Sequence, residues 1–592
     1  MKISMAVAIL CLLVSTCSYA SIQLVRNGKS DYSIILSKNA SPSEHFAAAE
    51  LKRYIYQISG ALIPYVPDSA NPPAKAIIVG DCEAFRSLGQ TIAGEFMQDE
   101  AFVIRTVGGR LVIVGGRLRG TMYGVYTFLE DVIGCRWLSG TVEKIPRMES
   151  IVVPQLDIAQ KPAFEYRDVF IREAMNKDYA AKQKLNSANA ALDAVRGGGI
   201  AYYPFVHTFA SLVPVEKYWD THPEYFSMVN GKRIREKTQL CLTNPDVLKI
   251  ATQTVLDWIR DHPEAKLYSV SQNDWYNNCE CERCKAINEE EGSPAGLVLR
   301  FCNAIAEEVE KHYPDKLIDT LAYQWTEKPP KITKPRHNVR VRLCPIFCCE
   351  AHPYESCDLP ENKAFLENLQ GWAKLTDQLY IWHYNTSFAH YLNPFPDFRQ
   401  LVSSARLYKD IGVKGVFWEG SYPTGGGGEL ACLRAYLLSK LSWNPDIDAD
   451  AVMKNFCDDY YGAAGKYIWQ YVQLLLDKVS RENIHVKIWA GPTDAFLTPE
   501  VLSTADELFD KAEAASDSPE VLKRVKQARL SLEYVKLMQP ILRNEYKGRE
   551  AELASALDEF VGKCKAYGMT HISEGETIDS FHTRVHKQLM GG

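Results

Sequence analysis

Beyond a short leader, this chain of 592 residues has no apolar run of transmembrane length, no block of lysine and arginine, and no internal repeat. The first absence leaves no sequence-level membrane span after the leader. The second, with a formal net charge of −6, removes the basic field that nucleic acids or anionic membrane surfaces require. One low-complexity tract is present, Gly425–Gly428, and no Lys-Ser/Thr pair follows it. It therefore does not read as a phosphate-binding loop, and is expected instead to form a mobile lid.

The composition is that of a globular protein, with 46 % hydrophobic and 24 % charged residues, and the length fits two to four domains. Aromatic residues are plentiful, at 31 Tyr, 22 Phe and 11 Trp, a surplus compatible with platforms for sugar rings. Residues 1–20 carry Lys2, an apolar run from Met5 to Val14, and the small-residue ending Ser18-Tyr19-Ala20, which together read as an export signal cleaved after Ala20. Cys17, preceded by Val14-Ser15-Thr16, is an alternative lipid-attachment point. The expected location is periplasm or cell surface, with secretion if no lipid is attached. Of 16 cysteines, 14 follow Cys17. In an exported protein some are expected to pair. Cys279, Cys281 and Cys284 form a C-x-C-x-x-C that offers three zinc ligands. No second cluster of matching spacing follows it, so a structural disulfide or buried thiols are expected there, bracing the adjoining loop. Cys348 and Cys349 are adjacent, with Cys357 close by.

Along the chain, short strands over 22–25 and 32–36 precede an amphipathic helix over 43–58, with Ser41 or Ser43 as N-cap and Gly60 as its end. Strands over 76–80, 101–106 and 110–115, the latter two joined through a tight Gly108-Gly109 turn, and a helix over 120–132 complete a small α/β domain. From Pro162, strands near 166–171, 201–205, 266–270, 318–323, 339–344, 379–382 and 415–418 alternate with helices, the rhythm of a parallel (β/α)8 TIM-like barrel. From Trp443 the pattern is helical throughout. The expected fold class is thus α/β in three parts after the signal (1–20): an N-terminal α/β domain (21–158), the barrel (159–440) and a C-terminal α-helical domain (441–592).

Polar and aromatic residues recur just after the barrel strands: His207, Asn273-Asp274, Tyr323 with Trp325, Trp382 with Tyr384, and Trp418-Glu419. Those are the positions that ring the active mouth of a barrel. The segment Ser269–Cys284, SVSQNDWYNNCECERC, is the most informative of them. An amide beside an acid there suits glycosidic cleavage in which the 2-acetamido group of the sugar is the nucleophile: one group orients the acetamide and the acid protonates the leaving oxygen.

The run Arg119-Gly120-Thr121-Met122-Tyr123-Gly124-Val125-Tyr126, with Phe128-Leu129-Glu130 and Gly134-Cys135-Arg136-Trp137-Leu138, resembles the small domain preceding the barrel in hexosaminidases and α-glucuronidases. Ser271-Gln272-Asn273-Asp274 with the C-x-C-x-x-C, together with Asn444-Pro445 and Tyr460-Tyr461-Gly462, resembles the DUF4838 family, also called glycoside hydrolase family 163. Its members are endo-β-N-acetylglucosaminidases acting on complex N-glycans. The resemblance spans nearly the whole chain after the signal. It implies Asp274 as general acid/base and Asn273 as the holder of the acetamide. Glu419 would grip sugar hydroxyls beside Trp418, and His207 would support the acid. Arg172 is placed to clamp hydroxyls, Tyr323 and Tyr384 to donate hydrogen bonds, and Trp325 and Trp382 to wall the subsite. A direct-displacement route would instead need a second carboxylate, with Glu419 the leading choice and Glu350 the next.

The expectation is therefore a secreted retaining glycosidase needing no metal or organic cofactor, with a glycan or glycoprotein as partner. Two alternatives stand beside it. One is an exo-acting α-glucuronidase or hexosaminidase, for which Arg172 or Lys177 would face a uronate. The other is a non-catalytic glycan-binding protein.

Overall fold

The computed structural model describes residues 21–591 except 99. The export leader expected over 1–20, Cys17 included, lies outside the described residues. The chain divides into two compact units, one of residues up to Cys135 with Ile145–Lys161, the other of Arg136–Lys144 with everything from Pro162 onward.

The first unit is built on a six-stranded mixed sheet in the order Asp157–Gln160, Phe102–Val107, Arg110–Gly115, Ala76–Val79, Ser33–Leu36 and Tyr65–Val66. The Phe102–Val107 and Arg110–Gly115 strands are a hairpin turned by Gly108 and Gly109, at φ 54° and 81°. Two successive positive φ values match the twist of the flanking strands and favour glycine at both positions. The helix Pro42–Ser59 starts in a reciprocal capping box, in which Ser41 accepts from the Glu44 N–H and Glu44 accepts from the Ser41 N–H. Gly60 ends it in the left-handed region.

The second unit holds a parallel sheet of six regular strands: β1 (Tyr166–Phe170), β2 (Leu267–Ser269), β3 (Leu317–Ala322), β4 (Val339–Leu343), β5 (Leu379–Tyr384) and β6 (Gly415–Glu419). Their order is β1-β6-β5-β4-β3-β2. Of the seven strands placed in the expected (β/α)8 barrel six are regular, and two staves are irregular. Between β1 and β2 the chain runs through Asn186-Ser187 and Ile200–Tyr202, linked by single parallel bridges, Ser187 to Ile200 and Tyr202 to Leu267. The Asn186 N–H donates to the Arg167 carbonyl, tying this stretch to β1. The strand expected over 201–205 shrinks to its bridge at Tyr202. Gly197–Gly199 on one side weakens extended pairing, and Pro204 on the other has no N–H to give. Helices Pro245–Asp261, Ala295–His312, Pro360–Leu375 and Phe398–Ile411 follow successive stretches of the sheet. The helices after Trp443, from Ala449–Tyr461 to Ile578–Met590, belong to the same compact unit as the sheet. One continuous apolar cluster runs from Phe164 on the sheet side to Val535 in the helix Pro519–Leu542.

Alternation along β4 sends Val339, Val341 and Leu343 outward into that cluster and turns Arg340 and Arg342 inward. Arg342 is fully buried among the rings of Tyr166, Tyr202, Phe205, Tyr380, Trp382 and Phe417, its guanidinium carbon 4.9–5.9 Å from each ring centre. Its Nη2 donates to the Tyr202 hydroxyl at 2.5 Å. Its Nε lies 3.8 Å from Asp319 Oδ1 on β3. Burial pushes the Asp319 carboxyl up to about 6, against the pull of Arg342. Replacing Arg342 by alanine would leave Asp319 buried without its counter-charge and six rings around a void. Arg342→Ala is expected to destabilise this unit by about 3–5 kcal/mol, read as a lower denaturation midpoint. A midpoint within experimental error of the parent would show that the cation carries no structural role.

Candidate active site

A cavity of about 340 Å³ opens at the carboxyl ends of the parallel strands. Its floor is the upper ring layer that also surrounds Arg342: Phe205, Trp382 and Phe417. On this sheet the residues facing it alternate with residues facing the helices. Trp382 and Tyr384 of β5 line it, while His383 between them is fully buried on the far side, bonded to the Tyr408 hydroxyl and Gln400. On β6, Phe417 and Glu419 line it and Trp418 does not.

Asp274 stands in the loop after β2, which is clamped from two sides. The Gln239 side chain accepts the Asn273 N–H at 3.0 Å and donates to the carbonyls of Asn273, Trp275 and Tyr276 at 2.7–3.2 Å. The Gln272 amide donates to the Tyr323 carbonyl and to Thr326 Oγ1, both at 2.8 Å. Backbone on each side of Asp274 is thus held by buried amides. Asp274 itself remains exposed at the cavity wall, where the Tyr323 hydroxyl donates to its Oδ1 at 2.9 Å. His207, at φ 59°, turns its ring toward the same wall, 5.9 Å from the Tyr323 ring. Its Nδ1 is 2.8 Å from the Gln272 carbonyl. A carbonyl only accepts, so Nδ1 carries a proton there.

Glu419 lies on the floor, 8 % exposed, with Oε2 accepting from Trp382 Nε1 at 2.7 Å. Burial pushes its carboxyl up to about 8. The Trp382 bond opposes that shift, and the nearby charges of Glu574 and Asp274 add to it. Glu419 therefore holds its proton at neutral pH. Glu574 is the third acid of the cavity. It arrives on the loop between the last two helices, accepts from the Tyr422 hydroxyl at 3.1 Å, and is raised by burial and by Asp274. The Tyr384 hydroxyl lies within electrostatic reach of Asp274, Tyr323 and Glu419. Trp489, 56 % exposed, stands on the cavity wall beside Ile488.

Of the residues singled out from the sequence, Asp274, Glu419, His207, Tyr323, Trp382 and Tyr384 meet in this cavity. Four do not. Asn273 is 4 % exposed and its amide is committed to the fold, Oδ1 accepting from the Ala210 N–H and Nδ2 donating to the Thr238 carbonyl. The chain bends at Asp274, where the Trp275 N–H donates to the Asn273 carbonyl at 2.8 Å, and the two neighbouring side chains take different surroundings. Trp418 is wholly buried on the helix side, donating to Ser442 Oγ at 3.0 Å. Trp325 faces away, bonded to the Trp275 carbonyl. Arg172 is exposed on a short 3-10 turn outside the cavity lining. Lys177 pairs with Asp193 on the surface. Glu350 is also elsewhere, fully buried against Tyr354 and His383. The Gly425–Gly428 tract, expected as a lid, is packed outside the cavity: Gly427 donates to Glu173 at 3.0 Å, and a Cβ on Gly426 would strike that carboxylate. Sequence reasoning missed Phe205, Phe417, Tyr422, Trp489 and Glu574. Period-2 alternation on β6 was the available signal for Phe417. No local signal marks Glu574, 155 residues after Glu419 in the chain.

Among the described residues no helix is long and apolar enough to cross a membrane. No curated protein matches the chain. Over the first unit, residues 18–128 match the family model described as the N-terminus of glycosyl hydrolase family 67. Among solved structures, a family GH115 4-O-methyl-α-glucuronidase with specificity for decorated arabinogalactans aligns over 96 % of this chain and 80 % of its own, with TM-score 0.61 and 13 % identity. At that identity the likeness is one of fold. A family 89 glycoside hydrolase from Clostridium perfringens aligns more loosely, with TM-score 0.47 and 10 % identity over 88 % of this chain and 65 % of its own. The model for the domain of unknown function DUF4838 matches residues 137–473, from the start of the second unit through all six strands and the cavity wall around Asp274. That is more than half of the chain, and the chain belongs to the DUF4838 family.

Proposed function

We propose that this protein is a retaining glycoside hydrolase that cleaves a β-linked N-acetylglucosamine glycoside, with Asp274 as general acid/base and the acetamide of the substrate as nucleophile. The observation that carries the reading is the convergence of Asp274, Glu419 and Glu574 with aromatic rings in one cavity at the strand ends. Carboxyl groups flanking a bound sugar are what glycosidic cleavage needs, and rings offer faces for the apolar side of the sugar.

The division of labour follows from depth. A general acid must reach the oxygen between the bound sugar and its leaving group, near the opening. Asp274 is exposed there and Glu419 is buried on the floor. Tyr323 fixes one Asp274 oxygen and so orients the other. A floor carboxyl that keeps its proton is a poor nucleophile, which weighs against direct displacement by Glu419 and favours the substrate's acetamide. In its neutral form Glu419 donates a hydrogen bond to a sugar hydroxyl. With the Asn273 amide committed elsewhere, the Tyr384 hydroxyl is the group we assign to hold the acetamide. The acid form of Asp274 gives its proton to the glycosidic oxygen as the C1–O bond breaks and the acetamide oxygen closes on C1. Asp274, now a carboxylate, takes a proton from water as that water opens the oxazolinium ring. The product keeps its configuration and Asp274 regains its proton.

Among the described residues no lysine or arginine lines the cavity, which instead holds three acids, so it offers no counter-charge to a uronate. This disfavours the α-glucuronidase alternative. Trp489 at the wall offers a second stacking surface beyond the floor, which suits an extended glycan. We place the cut within the chitobiose core of complex N-glycans on the family resemblance, and place the protein outside the cytoplasm on its leader.

Two measurements test this. Mass spectrometry of a complex-type N-glycoprotein treated with the enzyme should show intact glycans short of one core N-acetylglucosamine, and Asp274→Ala should lower the rate at least about 10²-fold. Release of terminal monosaccharides alone would overturn endo cleavage, and full activity in the variant would remove Asp274 from the reaction. Separately, Glu419 is protonated below about pH 8 and charged above it. The ratio kcat/KM should therefore fall as pH rises through about 8, and Glu419→Gln should abolish that alkaline limb. A limb unchanged in the variant would assign it to another group.

A further inference from the structure

Two clusters outside the cavity carry the next step. Cys279, Cys281 and Cys284 are joined by Cys241, a residue 38 positions upstream of Cys279, so that all four sulfurs lie within 4.8 Å of one another. Cys349, His352, Cys357 and His485 form a second group within the same limit. Of the disulfide or buried thiols expected at the first cluster, the structure shows no disulfide among Cys241, Cys279, Cys281 and Cys284. The Sγ atom of Cys241 lies 3.7 Å from that of Cys281 and 3.9 Å from that of Cys284. A disulfide needs about 2.05 Å, whereas four sulfurs at about 2.3 Å from a tetrahedral zinc stand about 3.8 Å apart.

We propose that the chain binds two structural zinc ions, one held by the four thiolates of Cys241, Cys279, Cys281 and Cys284, the other by two thiolates and two imidazoles, those of Cys349, Cys357, His352 and His485. The surroundings of each are those of metal ligands. Around the first, the Met228 N–H and Arg233 Nη1 point at the Cys279 sulfur at 3.4 and 3.6 Å, and the Thr243 hydroxyl is 3.2 Å from that of Cys284. These donors, with the arginine charge, offset the negative charge that four thiolates around a zinc would carry. Around the second, His352 Nε2 faces the Val479 carbonyl at 3.2 Å and His485 Nε2 faces Asp358 at 3.0 Å. Both acceptors place the ring proton on Nε2, so both Nδ1 lone pairs are turned into the cluster. There they lie 3.5 Å from Cys349 Sγ and 3.7 Å from Cys357 Sγ. A tetrahedral zinc with bonds of about 2.3 Å to sulfur and 2.0–2.1 Å to nitrogen puts S and N about 3.5 Å apart. A ligating histidine whose other nitrogen is held by a carbonyl or carboxylate is the usual arrangement around zinc.

Each site ties remote chain segments together beside the cavity. The all-cysteine site fastens the loop that follows Asp274 and Trp275 to the segment carrying Gln239, whose amide clamps that same loop. The mixed cysteine–histidine site fastens the loop after β4 to the segment that carries Ile488 and Trp489 into the cavity. The ions hold the walls and take no part in the reaction, and neither assignment depends on the glycosidase reading.

The test is metal analysis by inductively coupled plasma mass spectrometry of untagged full-length protein, purified in metal-free buffer after expression with zinc. Two zinc per chain are expected. Cys241→Ser and His485→Ala should each lose one, and Cys302→Ser, a buried cysteine outside both clusters, should keep two. Zinc at trace level in the parent overturns the proposal, as does a Cys241–Cys281 disulfide in non-reducing peptide maps of fresh protein for the first site. One zinc per chain, lost in only one of the two variants, upholds that site and overturns the other. Iron in place of zinc overturns the zinc assignment. Because the parent protein is measured directly, misfolding of a variant does not rescue or sink the result.

Discussion

The Arg342 guanidinium is the constraint on which the working end of this molecule depends. It occupies the interior of the parallel sheet, where a side chain with a permanent charge must find compensation. It finds it in Asp319, the Tyr202 hydroxyl and the faces of six aromatic rings. Three of those rings, Phe205, Trp382 and Phe417, turn their other side to the cavity. The cation thus fixes the height and tilt of the floor on which a substrate would rest. Trp382 is the link between the two layers: its ring covers Arg342 and its Nε1 holds Glu419.

From that floor upward, burial grades the acids of the cavity. Glu419 lies deepest and keeps its proton, while Asp274 at the wall stays open to solvent. Glu574, exposed like Asp274, reaches the cavity on a loop from the far end of the chain. Acid groups sharing one cavity cannot all be charged at low cost, so one of them stays neutral, and the most desolvated is the one that does. The same geometry that packs the floor therefore prepares one carboxyl to donate hydrogen bonds and leaves another free for proton transfer.

The loop bearing Asp274 is over-determined by contacts that contribute nothing to the cavity lining. Gln239 and Asn273 spend their amides on backbone groups, Gln272 spends its own on the Tyr323 carbonyl and the Thr326 hydroxyl, and the cysteines that follow gather around Cys241. A reactive group set on a loop needs such support if its position is to be held. The Asn-Asp pair thus splits into a structural half and a functional half.

How much of this was legible beforehand depended on range. The helix end at Gly60, the Gly108-Gly109 hairpin and the amphipathic helices are matters of neighbours a few residues apart, and the sequence by itself determined them, while it narrowed the first helix's N-cap to Ser41 or Ser43. It also marked the strand ends where Asp274, Tyr323, Trp382, Tyr384 and Glu419 gather, because apolar runs breaking into polar residues are local events. Which face each side chain takes is settled by register against the neighbouring strand, so Asn273 looked equal to Asp274, and Trp418 was expected at the site in place of Phe417, until the sheet was in place. Glu574, Trp489 and the fourth cysteine of the first cluster come from distant segments with no spacing rule to announce them. The two irregular staves, the depth that sets the proton on Glu419 and the meeting of Cys349 with His485 were decided only by tertiary structure. Burial and long-range proximity are properties of the packed chain, and no window of sequence contains them.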